Sequence, residues 1–239
     1  MPSWVTLNNN AQVRYVLPSE APSFPDIAFC LDDPAGLIQI GGALTPDWLL
    51  AGYHRGIFPW FSEGDPILWW CPDPRTILLP SEFKRSRSLN KVMRNGGFKV
   101  TFDQDFLSVI LHCAHTREET WIMPNIIEGY QQLHKLGYAH SVEVWQNEQL
   151  VGGLYGVSLG GVFFGESMFS LVSNASKVAL ATLCQQLVDW QFDLIDCQFS
   201  TVHLLSLGAK PIPRADFLTL LDKALAMPNR LGSWQDLND

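Results

Sequence analysis

Apolar and polar residues follow two different periods in the part of the chain after residue 100. Apolar residues recur every three or four positions, the period of an amphipathic helix, in three segments: 105–115, 124–136 and 175–190. Four further segments have the alternation or apolar composition of strands: 141–146, 150–158, 162–165 and 194–199. Asn147-Glu148 and Gly160-Gly161 indicate turns between the first three strands. This order predicts an antiparallel meander, a long helix, another strand and two short closing helices.

The preceding part of the chain has shorter elements and a change of composition. Thr45, Pro46 and Asp47 are typical of a helix N-terminus, which Gly56 ends. Strands are predicted at 67–70, 76–79 and 98–102, and a helix at 88–95. Proline and aromatic residues are concentrated in 59–80, so we place a domain boundary there: a small N-terminal domain over 1–73 and a main domain over 74–239. The predicted fold class is α+β, a mixed or antiparallel sheet covered by helices.

The composition is that of a globular protein, and it also indicates the cellular compartment in which the protein is expected. With 239 residues, 47% of them hydrophobic, the chain can bury a large core. The five cysteines are an odd number without a C-x-x-C pair, which argues for a reducing compartment. The first twenty residues lack the blocks of a signal peptide, and no apolar run approaches the ~20 residues that span a bilayer. We expect a soluble, cytoplasmic protein with no membrane partner.

Charge is distributed unevenly along the chain. The net charge of −8 is unusual for a protein that binds nucleic acid. Yet the segment 83–102 contains no acidic residue and six of the 16 basic side chains: Lys84, Arg85, Arg87, Lys91, Arg94 and Lys99. Two interpretations stay open, a solvated helix face and a patch that binds phosphates.

Four separated segments carry a resemblance to a known family. They are YHRGIFPWF at 53–61, DPILWWCPDPR at 65–75, GESMFS at 165–170 continuing to NASK at 174–177, and LIDCQ at 194–198 followed by SLGA at 206–209. In sequence and order they resemble the leucyl/phenylalanyl-tRNA–protein transferases, over roughly residues 20 to 220. The resemblance implies an acyltransferase fold of the GNAT class in the main domain, and a monomer that uses neither cofactor nor metal.

The same resemblance implies the reaction and its partners. The donors would be Leu, Phe or Met on aminoacyl-tRNA, and the acceptors the α-amines of proteins with N-terminal Arg or Lys, which are thereby marked for N-degron degradation. The donor ester is already activated, so the enzyme must mainly align the reactants and accept a proton from the amine. An α-amine has a pKa near ~8, so a minority is neutral at cytoplasmic pH.

Candidate catalytic residues lie in the last two matching segments. Strand alternation predicts that Asp196 and Gln198 share one face and that Cys197 lies on the other. The resemblance implies that Gln198 takes up the amine proton, Asp196 supports Gln198, and Glu166 holds the cationic acceptor. The alternative is a pair of polar residues at a solvated strand end.

The resemblance also implies binding residues for each part of the donor. The donor side chain would be enclosed by Leu154, Phe163, Met168 and Ile195. The terminal adenosine would be flanked by Trp60 and Trp121, with Tyr53 and Tyr130 completing the wall. The tRNA would contact Lys84, Arg85, Arg87, Lys91 and Arg94. Ordinary core packing is the alternative for the apolar and aromatic residues. Three positions depart from the family pattern: Leu171 replaces a usual arginine, Cys71 a serine and Thr201 an asparagine.

Other functions remain as alternatives. An N-acyltransferase of the same fold class could use another acyl donor or acceptor, but the junction 170–175 lacks the glycines and arginines of an acetyl-CoA loop. A relative that transfers amino acids to lipid-linked acceptors is also an alternative, which an anchor or a basic interfacial helix would favour, and the sequence shows neither. A non-catalytic module that recognises basic N-termini would not need the apolar pocket, the paired tryptophans and the basic patch as well. The His112 and His115 pair has no acidic partner nearby, and we expect no metal there.

Overall fold

The computed structural model describes residues 3–116 and 120–235. The first part of the chain forms a five-stranded sheet, whose strands are β1 (Ser3–Thr6), β2 (Gln12–Val16), β3 (Leu37–Gly41), β4 (Phe58–Pro59) and β5 (Leu68–Trp70). Their order is β1-β2-β3-β5-β4. Helix α1 (Pro46–Tyr53) follows β3 and begins as predicted, because Thr45 is its extended N-cap and proline occupies the first turn.

The second part forms a seven-stranded sheet. Its strands are β6 (Arg75–Leu78), β7 (Lys99–Phe102), β8 (Ala139–Gln146), β9 (Gln149–Leu159), β10 (Val162–Ser170), β11 (Leu194–Gln198) and β12 (Lys210–Ile212). The strand order is β12-β6-β11-β10-β9-β8-β7. Strands β10 and β11 are parallel, and helix α5 (Ala175–Asp189) makes the crossover between them. The other neighbours in this sheet are antiparallel.

Helices cover both faces of the second sheet. The others are α2 (Arg87–Asn95), α3 (Phe106–His115), α4 (Pro124–Lys135), α6 (Val202–Ser206) and α7 (Arg214–Leu225), with short 3-10 helices at Ile27–Phe29 and Pro80–Glu82. Successive strand residues face opposite sides: Phe163 packs with α5, and Phe164 packs in the cluster formed with α3, α4 and α7. The α+β prediction is confirmed. Among the described residues, no helix is long and apolar enough to cross a membrane.

The two sheets share one hydrophobic cluster. Trp48 and Trp69 of the first part belong to the same buried cluster as Phe106, Tyr130 and Phe164 of the second. The first sheet ends at Trp70 and the second begins at Arg75. A boundary between residues 73 and 74 stays a prediction, and the packing across it is continuous.

Two parts of the architecture differ from the sequence-based prediction. Strands β1, β2 and β3 and the short strands β4 and β12 have no counterpart in it. Strand β10 was predicted to end at residue 165 but continues to Ser170. The register of β10 against β9 shifts between Gly165 and Ser167, and this bulge carries polar residues into the middle of the strand. The alternation of apolar and polar residues is therefore interrupted at the bulge, and the sequence pattern does not reveal the second half of β10.

Candidate active site

A cavity of about 1020 Å³ opens beside strands β9, β10 and β11. Its apolar lining comes from the sheet and from helix α5: Leu154, Phe163, Met168, Leu180, Leu183 and Ile195. Aromatic rings and polar side chains complete the lining: Phe58, Trp60, Trp121, Phe199, Glu166, Gln198, Thr201 and His203. The four apolar residues singled out from the sequence therefore lie together, in contact with the same space as Glu166 and Gln198.

Trp60 and Trp121 both line this cavity. The Trp60 side chain is 44% exposed, and its ring lies 5.5 Å from that of Phe199 and 5.9 Å from that of Trp70. The Trp70 indole N–H donates to the carbonyl oxygen of Trp60 at 2.6 Å, which fixes the backbone there. A large aromatic surface is thus held rigidly at the edge of an apolar cavity, an arrangement that suits stacking of a flat ligand.

Glu166 lies at the β10 bulge and accepts hydrogen bonds from two tyrosines. The Tyr53 hydroxyl donates to Oε1 at 2.6 Å, the Tyr130 hydroxyl donates to Oε2 at 2.9 Å, and the two hydroxyls are also hydrogen-bonded to each other. Burial raises the pKa of Glu166 to about 7, against the opposing effect of the tyrosine hydrogen bonds. Each phenol has one proton, and both are directed at Glu166, so the carboxyl group accepts from two donors at once.

The two tyrosines lie behind the cavity wall. Both are at most 1% exposed, and burial, followed by the Glu166 charge, raises the pKa of each well above its ordinary value. The Tyr53 ring packs 4.8 Å from Phe164, and the Tyr130 ring packs 5.6 Å from Tyr155. The Tyr53 and Tyr130 rings are in the core and their hydroxyls bind Glu166, so their place in an adenosine wall stays a prediction.

Asp196 is paired with an arginine that the sequence did not single out. Arg75 Nε donates to Asp196 Oδ1 at 2.8 Å and Nη2 donates to Oδ2 at 2.6 Å, with both side chains at most 1% exposed. The guanidinium carbon lies 4.7 Å from the Phe58 ring centre and 4.6 Å from that of Phe217. Burial alone would lower the pKa of Arg75, but the Asp196 carboxylate raises it above its ordinary value. Arg75 is therefore charged.

Gln198 and Asp196 do not share a strand face. Gln198 has a φ of 55°, and the register of β11 against β6 shifts between Asp196 and Gln198. The prediction of a shared face is wrong because simple alternation fails at such an irregularity. Gln198 lines the cavity together with Ile195 and Cys197, whereas Asp196 is fully buried on Arg75. Asp196 Oδ1 accepts the backbone N–H of Gln198 at 3.0 Å, so it fixes the main chain there.

The predicted tRNA-binding residues form an exposed basic surface. Lys84, Arg85, Arg87, Lys91 and Arg94 are all exposed, and three of them border a groove of about 500 Å³: Arg85, Arg87 and Arg94. Within residues 3–116 and 120–235, none of the five forms an ion pair with a carboxylate. Arg85 already has a hydrogen-bond partner within the protein, because it donates to the Gln185 side chain at 3.0 Å. The other four charges are available to a ligand.

The basic surface adjoins the cavity through helix α6. The backbone N–H of Lys84 donates to the Leu207 carbonyl oxygen at 2.9 Å, directly after α6. His203 and Leu204 of the same helix line the cavity. A ligand strand that crosses α6 would therefore connect the two sites.

Some lining residues were not singled out from the sequence. Phe199 and His203 follow the matched LIDCQ segment, as does Thr201, which the sequence marked only as a departure from the family pattern; all three lie after the turn that Gln198 makes. Within the described ranges, no group of three or more His, Cys, Asp or Glu side chains could hold a metal ion. The His112 ring stacks on Phe169 at 4.8 Å, and the His115 ring bonds to the Leu111 carbonyl oxygen.

Comparisons with known proteins show to which family the chain is similar. The family model of the leucyl/phenylalanyl-tRNA protein transferases matches residues 77–222, and the model of the N-terminal domain of these enzymes matches residues 42–73. A leucyl/phenylalanyl-tRNA–protein transferase of Ectopseudomonas mendocina is 54% identical over 210 residues, covering 87% of this chain and 93% of the relative. One of Legionella pneumophila (strain Corby) is 52% identical over 215 residues, covering 89% and 96%.

Solved structures give weaker matches. L-PGS from Bacillus licheniformis has a TM-score of 0.38 at 12% identity, over 84% of this chain and 70% of that one. A GCN5-related N-acetyltransferase from Kribbella flavida has a TM-score of 0.33 at 12% identity, over 68% and 59%. Both scores are low, and the fold assignment rests on the sheet order of the chain itself.

The sequence matches, which extend over most of the chain and of its relatives, define the class of protein: an aminoacyltransferase. The chain belongs to the leucyl/phenylalanyl-tRNA protein transferase family.

Proposed function

We propose that this enzyme transfers Leu, Phe or Met from aminoacyl-tRNA to the α-amine of proteins that begin with Arg or Lys. The observation that carries the proposal is a single cavity that combines an apolar interior, two tryptophans, a carboxyl group and an amide. We propose further that the protein acts as a monomer in the cytoplasm and marks its acceptors for N-degron degradation.

The donor side chain would occupy the apolar part of the cavity. Leu154, Phe163, Met168 and Ile195 all line it. Met168 has a flexible thioether that can adapt to Leu, Phe or Met. The terminal adenine would stack between Trp60 and Trp121, and stacking on an aromatic ring is worth roughly 1–3 kcal/mol per base. This placement leaves the ester carbonyl near Glu166 and Gln198.

The acceptor would be held by Glu166. A cationic N-terminal residue favours the ionised carboxylate, so binding would lower the pKa of Glu166 from its value of about 7. The two tyrosine hydroxyls would then donate to a fully charged carboxylate and hold it in place. A carboxylate fixed in this way can select a basic N-terminal residue over a neutral one.

The transfer itself requires no covalent enzyme intermediate. The neutral α-amine attacks the ester carbonyl carbon, a C–N bond forms, and the bond to the ribose oxygen breaks. The proton lost by the amine ends on the ribose oxygen that leaves. The side-chain carbonyl oxygen of Gln198 would accept a hydrogen bond from the attacking amine and take part in this proton transfer. Asp196 would act through the main chain, by fixing the turn that presents Gln198.

The tRNA would lie on the basic surface of Lys84, Arg85, Arg87, Lys91 and Arg94. Phosphate contacts position a nucleic acid without reading its sequence, as a donor site for several tRNAs requires. The link from Lys84 to helix α6 supports a path from this surface into the cavity.

The direct test is incubation with leucyl-tRNA and a peptide that begins with Arg, followed by mass spectrometry. We expect the peptide to gain one leucine residue at its N-terminus. A matched peptide that begins with Ala, and uncharged tRNA, should give no gain. Acetyl-CoA in place of the tRNA tests the alternative of an N-acyltransferase with another donor. Gain of an acetyl group, or no reaction with charged tRNA, would overturn the proposal.

A further inference from the structure

The last described residues of the chain, 228–235, form a strap that crosses the second sheet beyond helix α7. The Gly160 backbone N–H donates to Asn229 Oδ1 at 2.7 Å, which fixes the start of the strap at the β9–β10 turn. Gly232 lies against Gly137, where a side chain on Gly137 would strike its backbone nitrogen. The strap begins after the region matched by the family model, which ends at residue 222.

Trp234 anchors the end of this strap in the core. Its backbone N–H donates to Asp103 Oδ2 at 2.7 Å, and the Gln235 side chain donates to the Asp103 carbonyl oxygen. The Trp234 ring is stacked on His140 at 3.6 Å with an interplanar angle of 5°, and its side chain is only 2% exposed. His140 in turn bonds to Asp103 Oδ2 at 2.8 Å. The indole is therefore held by both its backbone and its ring.

The same indole lies behind a residue of the cavity wall. The centre of the Trp234 ring is 6.0 Å from that of Phe163, and Phe163 lines the cavity. On another side, the Phe163 ring lies over Gly156, where an added Cβ would come within 2.6 Å of it. The Phe163 ring is thus flanked by the sheet at Gly156 and by the Trp234 indole.

We propose that Trp234 is a positioning residue that sets the depth of the donor side-chain pocket through Phe163. This inference rests on the proposed placement of the donor side chain among Leu154, Phe163, Met168 and Ile195. Removal of the indole leaves a void behind Phe163, into which its ring can move. The pocket then becomes too deep for Leu and remains adequate for the longer Phe.

The test is the ratio of kcat/KM for phenylalanyl-tRNA to that for leucyl-tRNA, measured with one acceptor peptide. In Trp234→Leu the ratio should rise about 10-fold, the lower end of what a misfit of one methylene produces in an apolar pocket. Trp234→Phe keeps an aromatic ring and should restore a ratio near that of the wild type. In a Phe163→Leu background, Trp234→Leu should change the ratio much less, because the residue that transmits the effect is gone.

A purely structural role predicts a different result. Trp48 is also 2% exposed but lies in the first part of the chain, so Trp48→Leu controls for loss of a buried indole. Trp48→Leu should lower the stability of the protein and leave the ratio of kcat/KM for the two donors unchanged. The inference is overturned if Trp234→Leu, assayed below its own unfolding temperature, keeps the wild-type ratio. Should Trp234→Leu not fold, Trp234→Met provides the same comparison, because it also removes the ring behind Phe163 and a wild-type ratio in it overturns the inference.

Met168→Ala separates this inference from the proposed donor site. Met168 lines the cavity from strand β10 and contributes its own side chain to the proposed donor pocket. If Met168→Ala changes the donor ratio and Trp234→Leu does not, only the role of Trp234 fails. If neither variant changes it, the proposed donor site itself is wrong.

Discussion

Arg75 and Asp196 form a buried two-point ion pair between the neighbouring antiparallel strands β6 and β11. The same Asp196 carboxylate accepts the backbone N–H of Gln198. Arg75 thus neutralises a charge that the sheet could not bury alone, and Asp196 fixes the turn that exposes Gln198 to the cavity. The ion pair connects the packing of the sheet with the geometry of the proposed active site.

Removal of one partner of this ion pair should destabilise the protein strongly. In Arg75→Leu the buried Asp196 charge loses its partner, and we expect the free energy of unfolding to fall by about 3–5 kcal/mol. The double variant Arg75→Leu, Asp196→Leu should regain much of this loss. Urea denaturation followed by circular dichroism measures both. A single variant within about 1 kcal/mol of the wild type would show that the pair contributes little.

Gln198 should affect turnover more than donor binding. Gln198→Ala removes the amide that faces the cavity, and we expect kcat to fall by about 10²-fold or more, the usual effect of losing a group that handles a proton. Asp196→Asn, assayed where it remains folded, should give a similar or smaller loss of kcat, since an amide oxygen can still accept the Gln198 N–H. Steady-state kinetics with saturating tRNA measures this, with the exposed Gln149→Ala as a matched control. A normal kcat in Gln198→Ala would contradict the assignment.

Regular periods predict most of the helices and strands after residue 45, but the short strands β4 and β12 are missed because two or three residues cannot show a period. The strands before residue 45 are also short, and irregular segments separate them, so the sequence shows no clear period there. The same cause explains the error at Gln198: alternation assumes a regular strand, whereas this residue has a positive φ next to a register shift. Arg75 was visible in a matching segment, but only the three-dimensional pairing gives it a partner 121 positions away. The enclosure of Glu166 by two tyrosines was hidden for the same reason.

The stability of the enzyme should decrease as pH rises through the range in which Glu166 titrates. Its pKa is about 7 in the folded protein, compared with an ordinary value of 4.5. The folded state therefore holds the proton more tightly, so this stabilisation is complete below about pH 4.5 and is lost as pH rises through about 7. Because Glu166 is partly exposed to the cavity, we expect a loss on the order of 1–3 kcal/mol.

The matched variant is Glu166→Gln, which cannot titrate. The difference in unfolding free energy between wild type and variant, measured by urea denaturation from pH 4.5 to 8, isolates this carboxyl from the histidines. The variant should gain relative to the wild type as pH rises. A difference that does not vary with pH would contradict the raised pKa.

The shape of the donor pocket should exclude β-branched residues. Leu, Phe and Met have an unbranched Cβ, whereas Ile and Val carry a second γ-carbon near the pocket mouth. A misfit of this size costs roughly 1–3 kcal/mol, or about 10–200-fold in kcat/KM. Isoleucyl- and valyl-tRNA should be correspondingly poor donors when compared with leucyl-tRNA on one acceptor peptide. Equal use of Ile and Leu would refute this pocket.

The basic surface should contribute to tRNA binding and leave the chemistry unchanged. Lys84→Glu or Arg87→Glu should raise KM for aminoacyl-tRNA with little effect on turnover at saturation. Charge-neutral variants should each flatten the salt dependence by about one unit of log–log slope, as one lost phosphate contact predicts. Substitution of Arg85 would be harder to interpret, because it would also remove the hydrogen bond from Arg85 to Gln185.

An aminoacyl-adenosine without a stem serves as the minimal donor for these variants. It should react equally with the wild type and with Lys84→Glu, and the exposed Lys135→Glu on helix α4 should match the wild type with both donors. Equal losses on the minimal donor and on the full tRNA would show that the surface is structural.

The bond between Tyr53 and Glu166 joins helix α1 of the first part of the chain to strand β10 of the second. A gene divided at the codon for Asp73 would therefore encode two fragments, each lacking part of the environment of that carboxyl group. Activity would return only when both fragments are produced together and reassociate. The two fragments are thus suited to a fragment-complementation assay, in which aminoacyl transfer reports their assembly.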